Sequence, residues 1–150
     1  MTERTLSLPQ VAAYDPERMW ERAFTGTTDQ IRHVRTALRH ILRDCPVADD
    51  IVLLVSELSA NAVAHSNSRE PGGRFIVRLQ HVRGEYVCGE VEDEGSDWDG
   101  DLGDSARNAS GLFLVLNLAS ACGVAHVLGR NRVVWFRKDH PAAGDQARAT

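Results

Sequence analysis

The sequence predicts a two-layer α/β sandwich, with helices on one face of a mixed, mostly antiparallel sheet. Three observations lead to this fold class. Apolar residues recur at helical spacing in two adjacent segments, they then alternate with polar residues in two pairs of short segments, and turn-rich stretches separate these parts. The 150 residues are also the usual size of one domain with one core. The predicted order is therefore helix, helix, strand, strand, long loop, helix, strand, strand.

The two helices come first. Thr27 is predicted to cap the first helix, with Gln30 in the capping-box position, and Pro46 is predicted to end it. The apolar stripe of this helix consists of Ile31, Val34, Leu38, Ile41 and Leu42. A second helix is predicted over residues 48–65. Its apolar stripe consists of Ile51, Leu54, Val55, Leu58 and Ala62.

The first predicted hairpin follows these helices. Apolar and polar residues alternate over 75–80, which predicts a strand. A turn at Arg83 and Gly84 leads into a second predicted strand over 85–93. Residues 94–110 are acidic, small and rich in turn formers, which predicts a long loop.

A short apolar helix is predicted over 111–121, and a closing hairpin over 122–128 and 132–138. Residues 1–23 show no clean period and are interpreted as an N-terminal extension. Residues 139–150 are interpreted as a flexible tail.

Composition limits the classes of partner. The net charge of −4 gives no field that attracts nucleic acid, and the longest apolar stretches are too short to span a bilayer. No signal peptide is visible, so we expect a cytoplasmic protein. Lys138 is the only lysine, so bound phosphates would need arginine or backbone N–H groups.

The cysteines predict neither a disulfide framework nor a structural zinc site. Cys45, Cys88 and Cys122 are odd in number, far apart and without a CxxC pair. No pair of histidines has ligand spacing near another soft ligand. On the sequence alone, we therefore expect no transition-metal site.

One edge of the second helix carries polar residues at helical spacing. Glu57, Asn61 and His65 form a row beside the apolar stripe, where a carboxylate and a carboxamide are costly unless they meet ligands. The oxygen of Asn61 is suited to Mg²⁺, and Glu57 could deprotonate an attacking group. The other interpretation is a partly exposed polar helix edge, because polar pairs at this spacing are common.

A second signal lies at the end of the second strand. Val87, Gly89, Val91 and Asp93 share one strand face, so Asp93 follows a run that should point into the core. A buried carboxylate just before Gly95 needs hydrogen-bond donors, and the amine of adenine would be one. The alternative is a surface turn, for which Asp-x-Gly is a common sequence.

The third signal is a loop of small residues that runs into an apolar helix at 108–119. Free N–H groups at a helix start can bind a phosphate. A glycine there is otherwise only a convenient turn. The three signals carry weight because they occur in this order, and each supplies a different part of a nucleotide complex.

The order E-x-x-x-N, then D-x-G, then a glycine loop before L-x-L-V resembles the GHKL superfamily of ATP-binding domains. Within it, VLLVSELSANAVAHS, GLFLVLNLASACGVA and RVVWF resemble the anti-sigma-factor serine/threonine kinase branch. The resemblance spans residues 24–138 and implies a histidine kinase-like ATP-binding fold. The implied cofactors are ATP and Mg²⁺.

The resemblance implies roles for individual residues. Asn61 matches the asparagine that binds Mg²⁺ on the ATP phosphates, and Glu57 matches the acid proposed as the general base. Asp93 matches the aspartate that binds the adenine amine, and Gly95 lets the base approach the backbone. Gly111 matches the last glycine of the loop whose amides hold phosphate.

Ser110 and Leu112, on either side of Gly111, are assigned with it to the nucleotide. Arg35 lies near a position that the family uses for partner contact. His65 stands where family members often carry histidine, and a packing or capping role is preferred for it over catalysis.

The implied function is that of a protein serine/threonine kinase that phosphorylates a small antagonist protein and holds a sigma factor in one state. The family also allows a homodimer. The alternative is a non-catalytic, nucleotide-binding module that regulates a transcription partner by docking alone. Asp97 and Ala109 favour this alternative, because the family usually has glycine at both positions. A detached histidine-phosphorylating domain is less favoured, because no dimerisation helix with a phosphoacceptor histidine precedes the domain.

Overall fold

The computed structural model describes residues 19–95, 117–127 and 131–141. Its helices and strands are β1 (Trp20–Thr25), α1 (Ile31–Ile41), α2 (Ala48–His65), β2 (Arg74–Val82), β3 (Tyr86–Asp93), β4 (Ala121–Val127) and β5 (Asn131–Asp139). The strands form one sheet in the order β1-β2-β3-β5-β4. The predicted sandwich is confirmed, with one difference. Every neighbouring pair of described strands is antiparallel, so this sheet is not mixed.

The sequence analysis missed strand β1, which lies mostly within the predicted N-terminal extension. Its buried face carries only two apolar residues, Trp20 and Phe24, with Arg22 between them. The Arg22 guanidinium lies 4.9 Å from the centroid of the Phe24 ring. The Phe24 ring itself stacks on Phe75 of β2, with centroids 5.5 Å apart. A strand this short, with a cation on its inner face, gives no clean alternation.

Helix α1 differs from the prediction at both ends. Thr27 makes no side-chain capping bond, and a single 3-10 turn over Thr28–Gln30 precedes the helix. At the other end, Leu42 has left the helical region (φ −110°, ψ 19°), although its N–H still bonds to the carbonyl of Leu38. The helix therefore ends before Pro46 is reached, and that proline is not what ends it.

Helix α2 has the predicted bounds and packs with α1 on one face of the sheet. The core between the layers is formed by α1, α2 and the alternate residues of the strands that face them. Its least exposed members are Val34, Leu38, Ile51, Leu54, Val55, Phe75, Val77, Val87 and Phe136. In the described part of the chain, no helix has both the length and the apolar character to cross a bilayer.

The opposite face of the sheet carries a buried ion cluster. Arg78 of β2 is 1% exposed, and its guanidinium bonds to Glu90 at 2.7 Å, to Glu92 at 2.8 Å and to Glu21 of β1. Burial by itself opposes the charged form, but the carboxylates outweigh it, so the pKa of Arg78 is raised. Trp135 is buried on this face too.

The predicted long loop and third helix lie largely outside the described residues. Asn117 and Leu118 are helical, whereas β4 begins at Ala121, so the predicted helix end at that residue is too late.

Candidate functional site

The C-terminal end of α2 and the end of β3 meet at one end of the sandwich. The backbone N–H of Asn67, just after α2, donates to the carbonyl of Gly95 at 2.8 Å. The backbone N–H of Glu94 donates to the hydroxyl of Ser68 at 3.1 Å. Gly95 has φ +76°, a backbone conformation that favours glycine. Two hydrogen bonds therefore fix the turn after β3 against the turn after α2.

Asp93 is buried on the helix-facing side of β3, as the alternation predicts. It is 3% exposed, and Val87 and Val91 of the same face lie in the core. One carboxylate oxygen accepts the backbone N–H of Gly95 at 2.8 Å. The other oxygen accepts Nε of Arg132 at 3.1 Å and Nη2 at 2.5 Å. The surface-turn interpretation of this aspartate is therefore wrong.

Arg132 is the member of this site that sequence reasoning missed. It lies directly opposite Asp93 in the β3–β5 ladder, and its side chain is 3% exposed. The sequence of β5 did indicate that Arg132 faces the helices, because it alternates with Val134 and Phe136, which lie in the core. Recognising its partner required the strand register, which the sequence does not give.

The electrostatics of Asp93 reflect this burial. Loss of solvent raises the pKa of the Asp93 carboxyl, against the lowering by the Arg132 charge and by the Gly95 N–H. A carboxylate has about four lone-pair positions. Among the described residues, the bonds from Gly95 and Arg132 use three of these positions, which leaves one on Oδ1 for a further donor.

The polar row of α2 reaches the same end of the sandwich. Asn61 is half-buried, and its Nδ2 is buried without a hydrogen-bond partner in the part of the chain that the structure describes. Glu57 is half-buried one turn earlier, and His65 is exposed. The capping bonds here belong to Ser66, whose hydroxyl donates to Ala62 and accepts the N–H of Ser68. The packing or capping role preferred for His65 is therefore not what the structure shows.

Arg35 lies against α2 rather than pointing away from the domain. Its Nε donates to the hydroxyl of Ser56 at 3.0 Å, and that hydroxyl donates to the carbonyl of Val52 at 2.6 Å. Ser56 precedes Glu57 in the sequence, so Arg35 is bonded to α2 one residue before the first member of the polar row.

The predicted phosphate-binding residues Ser110, Gly111 and Leu112 lie outside the described residues, as do Asp97 and Ala109. The part of the candidate site that the structure describes is therefore the end of β3, around Asp93, and the polar edge of α2.

A family model and solved structures match this chain. A family model described as the histidine kinase-like ATPase domain matches residues 24–138. No curated protein matches the chain.

Two solved structures are similar. The RsbU and RsbW domains of Rv1364c from Mycobacterium tuberculosis are 22% identical with a TM-score of 0.58, over 82% of this chain and 34% of that one. This chain thus spans about a third of that chain's length. The SiaB–SiaC complex from Pseudomonas aeruginosa is 15% identical with a TM-score of 0.60, over 93% of this chain and 100% of that one. At these identities the likeness concerns the fold, and the family model carries the assignment. The chain belongs to the histidine kinase-like ATPase domain family.

Proposed function

We propose that this domain binds ATP with Mg²⁺ and transfers the terminal phosphoryl group to a serine or threonine of a small antagonist protein. The observation that carries the proposal is the buried Asp93 carboxylate. It is fixed beside the left-handed Gly95, at the end of the sandwich where α2 presents Asn61. A domain of the family found here would place the adenine against such a carboxylate.

Asp93 fits the adenine amine on chemical grounds. Its Oδ1 accepts one hydrogen bond from the described residues, and the exocyclic amine would donate a second. Arg132 holds the carboxylate in place from the other side, so that it is oriented before a ligand arrives. The lack of a Cβ at Gly95 keeps the backbone beside it accessible to a flat base.

Asn61 and Glu57 fit the phosphate side. A buried Nδ2 without a partner is costly, so a ligand that meets the Asn61 amide would be favoured. The Asn61 carbonyl oxygen would hold the Mg²⁺, and the half-buried Glu57 carboxylate would accept the proton of the attacking hydroxyl. ATP would supply the phosphoryl group, and ADP would leave. Such transfer depends mainly on positioning and charge neutralisation, which few protein groups can provide.

The proposed partners are a small antagonist protein and a sigma factor. One structurally similar protein contains an RsbW domain, and the other forms the SiaB–SiaC complex. Their fold supports a role in which this domain alternates between protein partners. Arg35 is bonded to Ser56, the residue before the proposed base, so a partner that docks at Arg35 would contact the same turn of α2.

A second candidate function is a non-catalytic module that binds nucleotide and regulates by docking alone. It is favoured by Asp97 and Ala109, which replace family glycines, and by the bonds between Arg132 and Asp93. The hydrogen bond to Asp93 would contribute less binding free energy to adenine, because Arg132 already bonds to the same carboxylate.

Nucleotide binding is tested by calorimetry with ATP and ADP, with and without Mg²⁺. We expect binding to the wild type and at least a tenfold loss in Asp93→Asn, which exchanges an acceptor oxygen for a donor group. Asp49→Asn, at an exposed position at the start of α2, is the matched control and should bind normally. No heat with any adenine nucleotide, or unchanged binding in Asp93→Asn, would remove the proposal.

Catalysis is tested with labelled ATP and a candidate antagonist protein. We expect phosphate transfer that is lost in Glu57→Gln while nucleotide binding remains. Glu85→Gln is the control, because that exposed residue lies in the turn between β2 and β3 at the other end of the sheet. Nucleotide binding without any transfer by the wild type would leave the docking module as the function.

A further inference from the structure

The end of the sandwich opposite Asp93 brings together one cysteine and two histidines. Cys45 lies in the connection between α1 and α2, His81 is near the end of β2, and His140 follows β5. Their ligand atoms all lie within 4.8 Å of one another. Strand β3 runs from this end to Asp93, so roughly 20 Å separates the cluster from the nucleotide side.

The distances fit a shared metal ion. Sγ of Cys45 lies 3.9 Å from Nε2 of His140, and the Nε2 atoms of His81 and His140 lie 3.2 Å apart. Tetrahedral zinc with ordinary bond lengths requires about 3.3 Å between two nitrogens and about 3.5 Å between sulfur and nitrogen. Cys45 Sγ and His140 Nε2 would therefore approach by about 0.4 Å, and the two histidine nitrogens would separate by about 0.1 Å. The Cys45 sulfur and the His81 nitrogen lie within 4.8 Å and would close by at most about 1.3 Å.

The backbone holds all three residues in place. The N–H of Cys45 bonds to the carbonyl of Leu42 at 2.9 Å, and the N–H of His140 bonds to the carbonyl of Glu85 at 2.8 Å. His81 is part of the β2–β3 ladder. Cys45 is 8% exposed, and both histidines are half-buried. Ligands fixed on separate hydrogen-bonded segments form a site before the ion arrives.

We propose that Cys45, His81 and His140 form a binding site for a zinc-class transition-metal ion, distinct from the nucleotide site. A thiolate with two imidazoles selects borderline and soft ions such as Zn²⁺ and Co²⁺, and not Mg²⁺. Three protein ligands leave one tetrahedral position for water or an added ligand. The ion would join the α1–α2 connection to the ends of β2 and β5.

The protonation states support this chemistry. Burial lowers the pKa of His81, as do the charges of His140 and Arg83. Burial raises the pKa of the Cys45 thiol, so this sulfur carries its proton until a metal displaces it. Binding therefore breaks the S–H bond, forms one sulfur–metal bond and releases one proton to the buffer.

A pair of neutral imidazoles that share a hydrogen bond is the competing explanation for the contact between the two histidines. In that arrangement one Nε2 is a donor, and Cys45 has no special role. The two explanations differ in whether the cysteine sulfur binds the ion.

The test uses the full chain, stripped with a chelator and then titrated with Co²⁺ alone. We expect one equivalent to bind and to produce the thiolate-to-cobalt charge-transfer band in the near ultraviolet, which Zn²⁺ then removes. Zn²⁺ should also raise the melting temperature by on the order of 5 °C. Cys45→Ser should lose the band, and His140→Ala should lower affinity at least tenfold.

Cys122→Ser is the matched control, because this partly buried cysteine lies on β4, outside the cluster. It should keep both the band and the affinity. The proposal is overturned if the wild type gives no band, or if Cys45→Ser keeps it. It is also overturned if Cys122→Ser loses the band. Should Cys45→Ser fail to fold, His140→Ala decides, since unchanged Co²⁺ affinity in that variant contradicts the site. None of these readouts depends on nucleotide, so the outcome is independent of the proposed kinase function.

Discussion

Arg132 holds Asp93 across the β3–β5 ladder, with both side chains 3% exposed and two guanidinium nitrogens on one carboxylate oxygen. The pair lies where the adenine of a nucleotide is proposed to bind. Arg132 therefore has two effects. It orients the carboxylate, and it also uses acceptor positions that a ligand would otherwise have.

The first prediction concerns this pair. Among the described donors, Arg132→Met leaves the buried Asp93 carboxylate with the Gly95 N–H alone, and we expect it to lower the free energy of unfolding by about 3–5 kcal/mol. Urea denaturation measures this change. Arg137→Met is the control, because its bond to Asp139 is largely exposed and should contribute about 1 kcal/mol or less. Equal losses in the two variants would contradict the buried pair.

The second prediction concerns Arg78 on the opposite face of the sheet. Arg78→Met leaves Glu90 and Glu92 buried without their cation, and it should cost about 3–5 kcal/mol of stability. Arg39→Met, at an exposed position of α1, should change stability by about 0.5 kcal/mol or less. Thermal unfolding compares the two variants, and a small effect of Arg78→Met would show that the cluster is solvated.

The third prediction concerns the fit of β3 against β5. A Cβ at Gly89 would lie 2.8 Å from Cζ of Phe136 and 2.9 Å from the carbonyl oxygen of Arg78. We expect Gly89→Ala to lower the free energy of unfolding by about 1–3 kcal/mol through overpacking. Phe136→Leu removes the ring that the added methyl group would meet. The double variant should therefore lose less free energy of unfolding than the two single variants lose in sum. Simple additivity in this cycle would count against a direct clash.

The fourth prediction concerns pH. The pKa of His81 is lowered from its ordinary 6.5, first by burial and then by the charges of His140 and Arg83. The folded state therefore binds fewer protons than the unfolded state at mildly acidic pH. The stability that follows is fully present above pH 6.5, and it is lost as the pH falls below 6.5 through the lower pKa of the folded state. Urea midpoints at about pH 7.5 and about pH 5.5, with chelator present, measure the loss.

In His81→Gln the drop in stability over this range should be smaller than in the wild type, because the titrating group is gone. His33→Gln, at an exposed position of α1, should behave like the wild type. A His81→Gln variant with an unchanged pH dependence would contradict the assignment.

Much of the fold could be predicted because its signals are local. Each helix and strand has one face toward the core, so its apolar residues recur about every 3.6 or about every 2 residues. These periods predict the bounds of α2 and the two hairpins. β1 could not be predicted, because its inner face has only Trp20 and Phe24, and its partner β2 is distant in sequence. The end of α1 was also missed, because Pro46 is a stronger local signal than the turn at Leu42.

For the candidate site, the sequence by itself determined that Asp93 faces the core and that Gly95 follows it, since strand alternation and a turn glycine are properties of neighbours along the chain. Only the tertiary structure decided what surrounds these residues. Arg132 lies 39 positions from Asp93, and His140 lies 95 positions from Cys45, yet each pair is in contact. Strand register and the packing of α2 on the sheet create such contacts, and both depend on the whole core rather than on any segment.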